Sequence, residues 1–242
     1  MFIVAHRGAS FEAPENTLAA FGRALDAQAD GIEIDVFPIQ DDWIVFHDRY
    51  LQRLTASPGR LLDCSLAELK QMKVFSQQSI PTLSEALEFI NGRCTVNVEL
   101  KGADIARGLT KHLRHAVAAY NFQPEQLIVS SFNHHWLQQL KQDHPEQRIG
   151  ALTTACPLAY ARFASELEAY SVHIDVDFVT PEFVADAHAR GLLVWVFTVD
   201  EPEDIRDLKA MGVDGIFTNH PRLARNILEQ LPVAPHESLR DG

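Results

Sequence analysis

The chain has 242 residues, 46% of them hydrophobic and 22% charged, with 12 Gly and 12 Pro. This globular composition excludes disordered, collagen-like and low-complexity classes and supplies apolar material for a sizeable core. Asp and Glu total 33 against 21 Lys and Arg, a formal net charge of −12. That balance argues against nucleic acid or an anionic membrane as partner, because both are held by Lys and Arg, and points to a small partner or to carboxylates employed on a cation.

Cys64, Cys94 and Cys156 form no C-x-x-C pair and are odd in number, so free thiols are expected rather than a disulfide framework. The apolar start at 1–5 is too short for a signal peptide, and the first positive charge, Arg7, follows it. No run approaches the 18 or so apolar residues of a membrane span. The expectation is a soluble, cytoplasmic protein with no stable membrane insertion.

In chain order, a β-rich run at 2–5 precedes a helical pattern at 16–29, and a second at 31–36 is followed by an irregular interval. That interval holds a short strand-like run at 43–46, a polar stretch with Pro58-Gly59 and a weak helix at 65–72. A helix at 82–90 ends it. Strands then alternate with helices: 95–100 and 104–119, 127–131 and 133–142, 148–152 and 158–168, 171–174 and 181–190, 192–198 and 201–211, 215–218 and 221–230. Pro181 and Pro221 suit first helical positions, and Gly191 and Gly212 suit helix ends. Near-continuous Val/Ile/Leu strands require a sheet covered on both sides. Eight strands, each followed by a helix, predict an α/β fold, a (β/α)8 TIM barrel, with a small insertion (about 48–80) after the second strand; an open doubly wound sheet is the rival. Residues 1–230 are read as a single catalytic domain and 231–242 as a tail.

A barrel of this kind builds its site at the C-terminal ends of its strands. Here the charged ends fall in the first hundred residues: His6-Arg7-Gly8, Glu33-Ile34-Asp35 with His47-Asp48 after it, and Asn97-Val98-Glu99-Leu100-Lys101. Two-residue spacing puts Glu33 with Asp35, and Asn97 with Glu99 and Lys101, on one face of each strand. Three converging carboxylates repel one another and recruit a cation; oxygen donors suit one divalent metal ion, Mg2+ or Ca2+, better than zinc. The bland alternative is solvated strand-end charges paired with Arg7 and Lys101. Of the 11 histidines, His6 and His47 stand out beside this cluster, as a pair able to give and take a proton near neutral pH. With Arg7 as a fork and Lys101 as a point charge for phosphate, the set suits phosphoryl-ester chemistry.

These residues, together with Ala13-Pro14-Glu15-Asn16-Thr17, Ile80-Pro81-Thr82-Leu83, Ser131-Phe132, and Gly212 to Asn219 with Pro221, resemble the signature of the glycerophosphodiester phosphodiesterases over essentially the whole chain. The resemblance implies a TIM-barrel enzyme that hydrolyses small glycerophosphodiesters, such as glycerophosphocholine, to glycerol 3-phosphate and an alcohol. It implies Glu33, Asp35 and Glu99 as metal ligands, His6 and His47 as the acid/base pair, and Arg7 and Lys101 on the phosphate. The stretch from Phe37 to Trp43 is one residue shorter than usual there. Phe197 stands where the family commonly has Trp, keeping an aromatic wall against the substrate without an indole N–H. A related barrel phospholipase acting on lysophospholipid or phosphoinositide head groups is the alternative; its rim would need Phe75, Trp136, Phe163 and Phe178. A non-catalytic phosphate-binding module would need lost acid/base groups, and here the full set is present.

Overall fold

A computed structural model describes residues 1–102 and 108–231 of the chain. The elements are β1 (Phe2–Ala5), α1 (Leu18–Asp26), β2 (Gly31–Ile39), β3 (Asp42–Val45), α2 (Leu66–Gln71), β4 (Lys73–Val74), β5 (Gln78–Ser79) and α3 (Leu83–Ile90). They continue with β6 (Thr95–Leu100), α4 (Leu109–Ala119), β7 (Leu127–Ser131), α5 (His134–Asp143), β8 (Arg148–Thr153) and α6 (Arg162–Glu166). The last are β9 (Ser171–Asp175), α7 (Pro181–Ala189), β10 (Leu193–Phe197), α8 (Pro202–Met211), β11 (Gly215–Thr218) and α9 (Pro221–Gln230).

Eight parallel strands run in the order β1-β11-β10-β9-β8-β7-β6-β2, and β1 also pairs with β2, so the sheet closes on itself. This is the expected TIM barrel, not the open doubly wound sheet. The strand alternation assigns the two faces. Ile3, Ile32, Ile34, Val96, Val98, Val129, Ile149, Val172, Val194 and Ile216 face outward into one continuous core with the helices. Their neighbours in sequence face the barrel interior, where Val4, Ile128, Trp195 and Phe217 form a small inner cluster. His173 stacks on Trp195 there, with ring centroids 5.1 Å apart. Gly150 makes room for it: a Cβ at that position would lie 2.3 Å from His173 Cε1. Apolar and aromatic rings thus fill the lower barrel, leaving the upper layer for polar side chains.

The insertion is a satellite. β2 runs on past the barrel and turns back through Gln40-Asp41 into antiparallel β3, with Ile39 opposite Asp42. The segment from Phe37 to Trp43 is therefore a two-residue hairpin. Phe37, Ile39, Ile44, Phe46, Leu51, Leu54, Leu61, Leu69, Val74 and Ile80 form its own apolar cluster. A capping box starts α2, with Ser65 and Glu68 reciprocally bonded. The β4–β5 hairpin was not anticipated, its strands being two residues each. The helix expected at 158–168 shrinks to Arg162–Glu166, because Tyr160 and Glu168 take left-handed backbone angles, φ 45° and 52°, that end a right-handed helix on both sides. The start of the helix expected at 104–119 and the tail after residue 231 lie outside the described residues. Cys64, Cys94 and Cys156 are all free. No helix among the described residues is long and apolar enough to cross a membrane.

Burial alone drives the His173 imidazole down to about 3, so the ring is neutral in the folded protein and protonates more readily once unfolded. Stability is then fully present above the ordinary imidazole range near 6.5 and is lost as pH falls from there toward 3, by up to about 1.4 kcal/mol per pH unit from this group. Denaturant melts between pH 7 and 4.5 check this, with a shallower slope expected for His173→Gln.

Candidate active site

Local backbone chemistry sets the first strand's end. After Ala5 the chain turns through Arg7 and Gly8 at φ 57° and 81°. A Cβ on Gly8 would lie 2.7 Å from the carbonyl carbon of Ala20, so only glycine lets this turn pack on α1. The turn aims the Arg7 backbone N–H at Glu33 Oε2, 2.8 Å away. Asn16 is also left-handed, φ 57°, a conformation that Asn tolerates. It clasps Asp35 twice: Nδ2 donates to Oδ2 at 2.8 Å, and Oδ1 accepts from the Asp35 N–H at 3.2 Å.

The register of β2 against β6 places Glu33 opposite Asn97 and Asp35 opposite Glu99. Glu33, Asp35 and Glu99 are buried, and each offers an oxygen within 4.8 Å of the others. Lys101 Nζ lies 3.2 Å from Asp35 Oδ1 and 2.5 Å from Glu99 Oε1, and Arg7 Nε lies 3.2 Å from Asp35 Oδ2. Burial and the neighbouring Asp35 and Glu99 charges push Glu33 well above the usual carboxylate range. Burial and Asp35 raise Glu99 to about 7 against the pull of Lys101. Burial would raise Asp35 too, but Lys101 and Arg7 outweigh it and hold it low. Glu33 Oε1 is buried without a hydrogen bond among the described residues, and Asp35 Oδ1 and Glu99 Oε1, also buried, face only the Lys101 ammonium. Such a set of oxygens could hold a hard divalent cation.

His6 and His47 line the same cavity of about 440 Å³, together with Arg7, Glu33, Asn97, Glu99 and Lys101. Each ring is held from behind. Asn219 Nδ2 donates to Asp200 Oδ2 at 2.6 Å, which turns Asn219 Oδ1 to accept from His6 Nδ1 at 2.9 Å. Burial and the Arg7 charge lower His6 to about 4, so it is neutral near pH 7 with Nε2 unprotonated. His47 Nδ1 lies 2.6 Å from Asp48 Oδ1. Burial would raise Asp48, but hydrogen bonds from Arg53 and His47 bring it to about 2, so it is a carboxylate. Both histidines therefore present Nε2 to the cavity.

The sequence reading missed how these groups are tied. Arg53 donates to Asp48 and also, in a fork, to Glu15 at 2.7 and 2.8 Å, and Glu15 in turn accepts from Arg7 at 2.8 Å. It also missed cavity residues from later strands: Phe132, Leu152, Asp175, Asp177 and Thr198. Phe197 stands on the wall as expected, edge-to-face with Phe132 at 5.8 Å. Two of the four aromatic residues that the phospholipase alternative would need at its rim are turned inward. Trp136 packs on the core, and Phe163 stacks on His134 at 4.9 Å, because helices α5 and α6 turn these rings inward. Phe75 lies exposed in the insertion. Among the described residues, Phe11, Phe132, Leu158 and Phe178 are exposed in segments that follow barrel strands, and Tyr50 and Leu62 are exposed in the insertion.

The family model for the glycerophosphoryl diester phosphodiesterase family matches residues 6–223. The chain belongs to this family. A glycerophosphodiester phosphodiesterase of Caldanaerobacter subterraneus is 37% identical to this family member over 238 residues, covering 94% of this chain and 98% of the relative. Among solved structures, an Oleispira antarctica phosphodiesterase in complex with the product sn-glycerol-3-phosphate is similar at a TM-score of 0.83 and 31% identity, over 95% of this chain and 97% of that one. A glycerophosphodiester phosphodiesterase from Agrobacterium tumefaciens is similar at a TM-score of 0.80 and 28% identity, over 93% and 99%.

A cation bound by the acidic triad must displace the proton that burial leaves on Glu99. Added Ca2+ or Mg2+ is expected to raise the unfolding temperature in proportion to the logarithm of its concentration. The rise is larger at pH 8 than at pH 6, and Glu33→Gln abolishes it; thermal melts with and without EDTA check all three.

Proposed function

We propose that the protein hydrolyses glycerophosphodiesters to glycerol 3-phosphate and an alcohol, using a divalent cation held by Glu33, Asp35 and Glu99 and an acid/base pair formed by His6 and His47. The observation that carries this reading is the meeting of both histidines with the acidic triad, Arg7 and Lys101 around one cavity. When bound, the cation neutralises charge on a non-bridging phosphate oxygen. Residues 1–230 would act as one catalytic domain, and the three free thiols suit a reducing, cytoplasmic setting.

His6 suits the base, because it is neutral and its Nε2 lone pair faces the cavity. Its Nε2 takes the proton of the nucleophile, which is water or the glycerol 2-hydroxyl. His47 suits the acid, because the Asp48 carboxylate behind its ring compensates the charge it carries while protonated. Its Nε2 proton goes to the leaving alkoxide, so one proton enters the pair as one leaves. If the 2-hydroxyl attacks, a cyclic phosphate forms, and its hydrolysis runs the two roles in reverse. Arg7 and Lys101 supply fixed positive charge for the phosphate oxygens. Phe132, Phe197 and Phe217 wall one side of the cavity and offer the ester an apolar surface.

Release of glycerol 3-phosphate tests this. His6→Ala and His47→Ala are each expected to lower kcat by about 10²–10⁴-fold while the cation-induced rise in unfolding temperature persists, and EDTA is expected to abolish turnover. Wild-type turnover in either variant excludes the pair, and EDTA-insensitive turnover excludes the cation.

A second reading, cleavage of lysophospholipid, is favoured by the exposure of Phe11, Phe132, Leu158 and Phe178 beyond the strand ends. The net charge of −12 opposes an anionic lipid surface. Glycerophosphocholine is therefore expected to be turned over with a higher kcat/KM than lysophosphatidylcholine, and the reverse order in a direct comparison would establish the second reading.

A further inference from the structure

Glu33 and Asp35 on β2, and Asn97 and Glu99 on β6, form a two-by-two block on the inner face of the barrel. Glu33 pairs with Asn97 and Asp35 with Glu99 across strands about 4.8 Å apart, and the two-residue spacing keeps each pair on one face. Three corners of this block are the carboxylates whose oxygens lie within 4.8 Å of one another. The fourth corner, Asn97, is 1% exposed and lines the same cavity. Its Nδ2 donates to Ser130 Oγ at 2.9 Å, while its Oδ1 is buried without a hydrogen bond among the described residues. In their ionised forms the three carboxylates cannot satisfy this carbonyl oxygen, since all four groups are then acceptors. A cation satisfies all four at once.

We propose that Asn97 Oδ1 is a fourth, uncharged oxygen donor to the divalent cation, an inference that rests on the cation reading given above. Amide carbonyls join carboxylates in the oxygen shells that Ca2+ takes. The choice of amide has an electrostatic consequence. A divalent cation, the acidic triad, Arg7 and Lys101 together carry a single formal positive charge, which draws in a phosphate. Asn97 adds a ligand and keeps that charge, whereas a carboxylate at the same corner would cancel it.

The competing arrangement reverses the amide, so that Asn97 accepts from Ser130 and donates its N–H groups to Glu33 or Glu99. Substitution separates the two. Ca2+ and Mg2+ are titrated by calorimetry into the metal-stripped full chain, as wild type and as Asn97→Leu, Asn97→Asp and Glu33→Gln. Circular dichroism in EDTA reports folding. If Asn97 is a ligand, Asn97→Leu weakens cation binding about tenfold or more. Asn97→Asp binds the cation at least as tightly as wild type but binds glycerol 3-phosphate more weakly. Luminescence lifetimes of bound Eu3+ in H2O and D2O give the number of coordinated waters, which rises in Asn97→Leu. Asn97→Leu with wild-type affinity and unchanged hydration overturns the proposal. So does Asn97→Asp binding as weakly as Asn97→Leu, which would mean that the amide acts as a donor to the carboxylates. A wild-type chain that binds neither ion, like Glu33→Gln, overturns the underlying cation reading and the proposal with it.

Discussion

Repulsion among three buried carboxylates is the constraint around which the upper barrel is arranged. Glu33, Asp35 and Glu99 cannot all ionise in low dielectric without positive charge close by. Lys101 and Arg7 supply it, each within 3.2 Å of Asp35. The compensation then propagates outward with alternating sign, from Asp35 to Arg7, Glu15, Arg53 and Asp48, and it ends on His47. The energetics grade along this chain. Removing one partner of a buried pair costs about 3–5 kcal/mol, whereas a pair as open as that of Arg53 contributes about 1 kcal/mol or less. Its outer links fix geometry more than they stabilise the fold. They connect a loop after β1 to a loop after β3 and so hold the second histidine at the cavity.

The two histidines have unlike supports. Behind His6 stands an amide whose direction is set by Asp200, and the ring is closed in by burial and by Arg7. Behind His47 stands a carboxylate pinned by Arg53. A neutral support with burial disfavours a protonated ring, and an anionic support compensates one. Similar rings on one cavity thereby have unlike surroundings, a neutral amide behind one and a carboxylate behind the other.

The barrel and most of the site were legible in the sequence because one period does two jobs. In β2 and β6 the Ile and Val positions face the helices, and the residues between them, Glu33, Asp35, Asn97 and Glu99, face inward, so the pattern that reveals the strands also reveals which carboxylates converge. Arg53 was not legible. It lies in an irregular polar stretch with no periodicity, and its partner Glu15 is 38 residues away. Asp175 and Asp177 were passed over because β9 was expected to stop at Ile174. The short α6 was overestimated, since nothing in its composition announces the left-handed residues Tyr160 and Glu168. Trp136 and Phe163 show the same limit in another form: aromatic side chains on helices can face either way, and packing decides.

The interleaving of outward and inward residues makes strand length the protected quantity in this barrel. Deleting one residue within Gly31–Val36 would exchange the inward-facing carboxylates of this strand with their aliphatic neighbours, turning Ile32 and Ile34 into the cavity and Glu33 and Asp35 into the helix layer. Past Val36 the same deletion only tightens a hairpin. The hairpin between Phe37 and Trp43 lies in that stretch, and His47 beyond it reaches the cavity. Variation in length is thus tolerated where the strands have left the barrel and excluded where they build it, so that loops in this protein can drift in size while the strands can change only residue by residue.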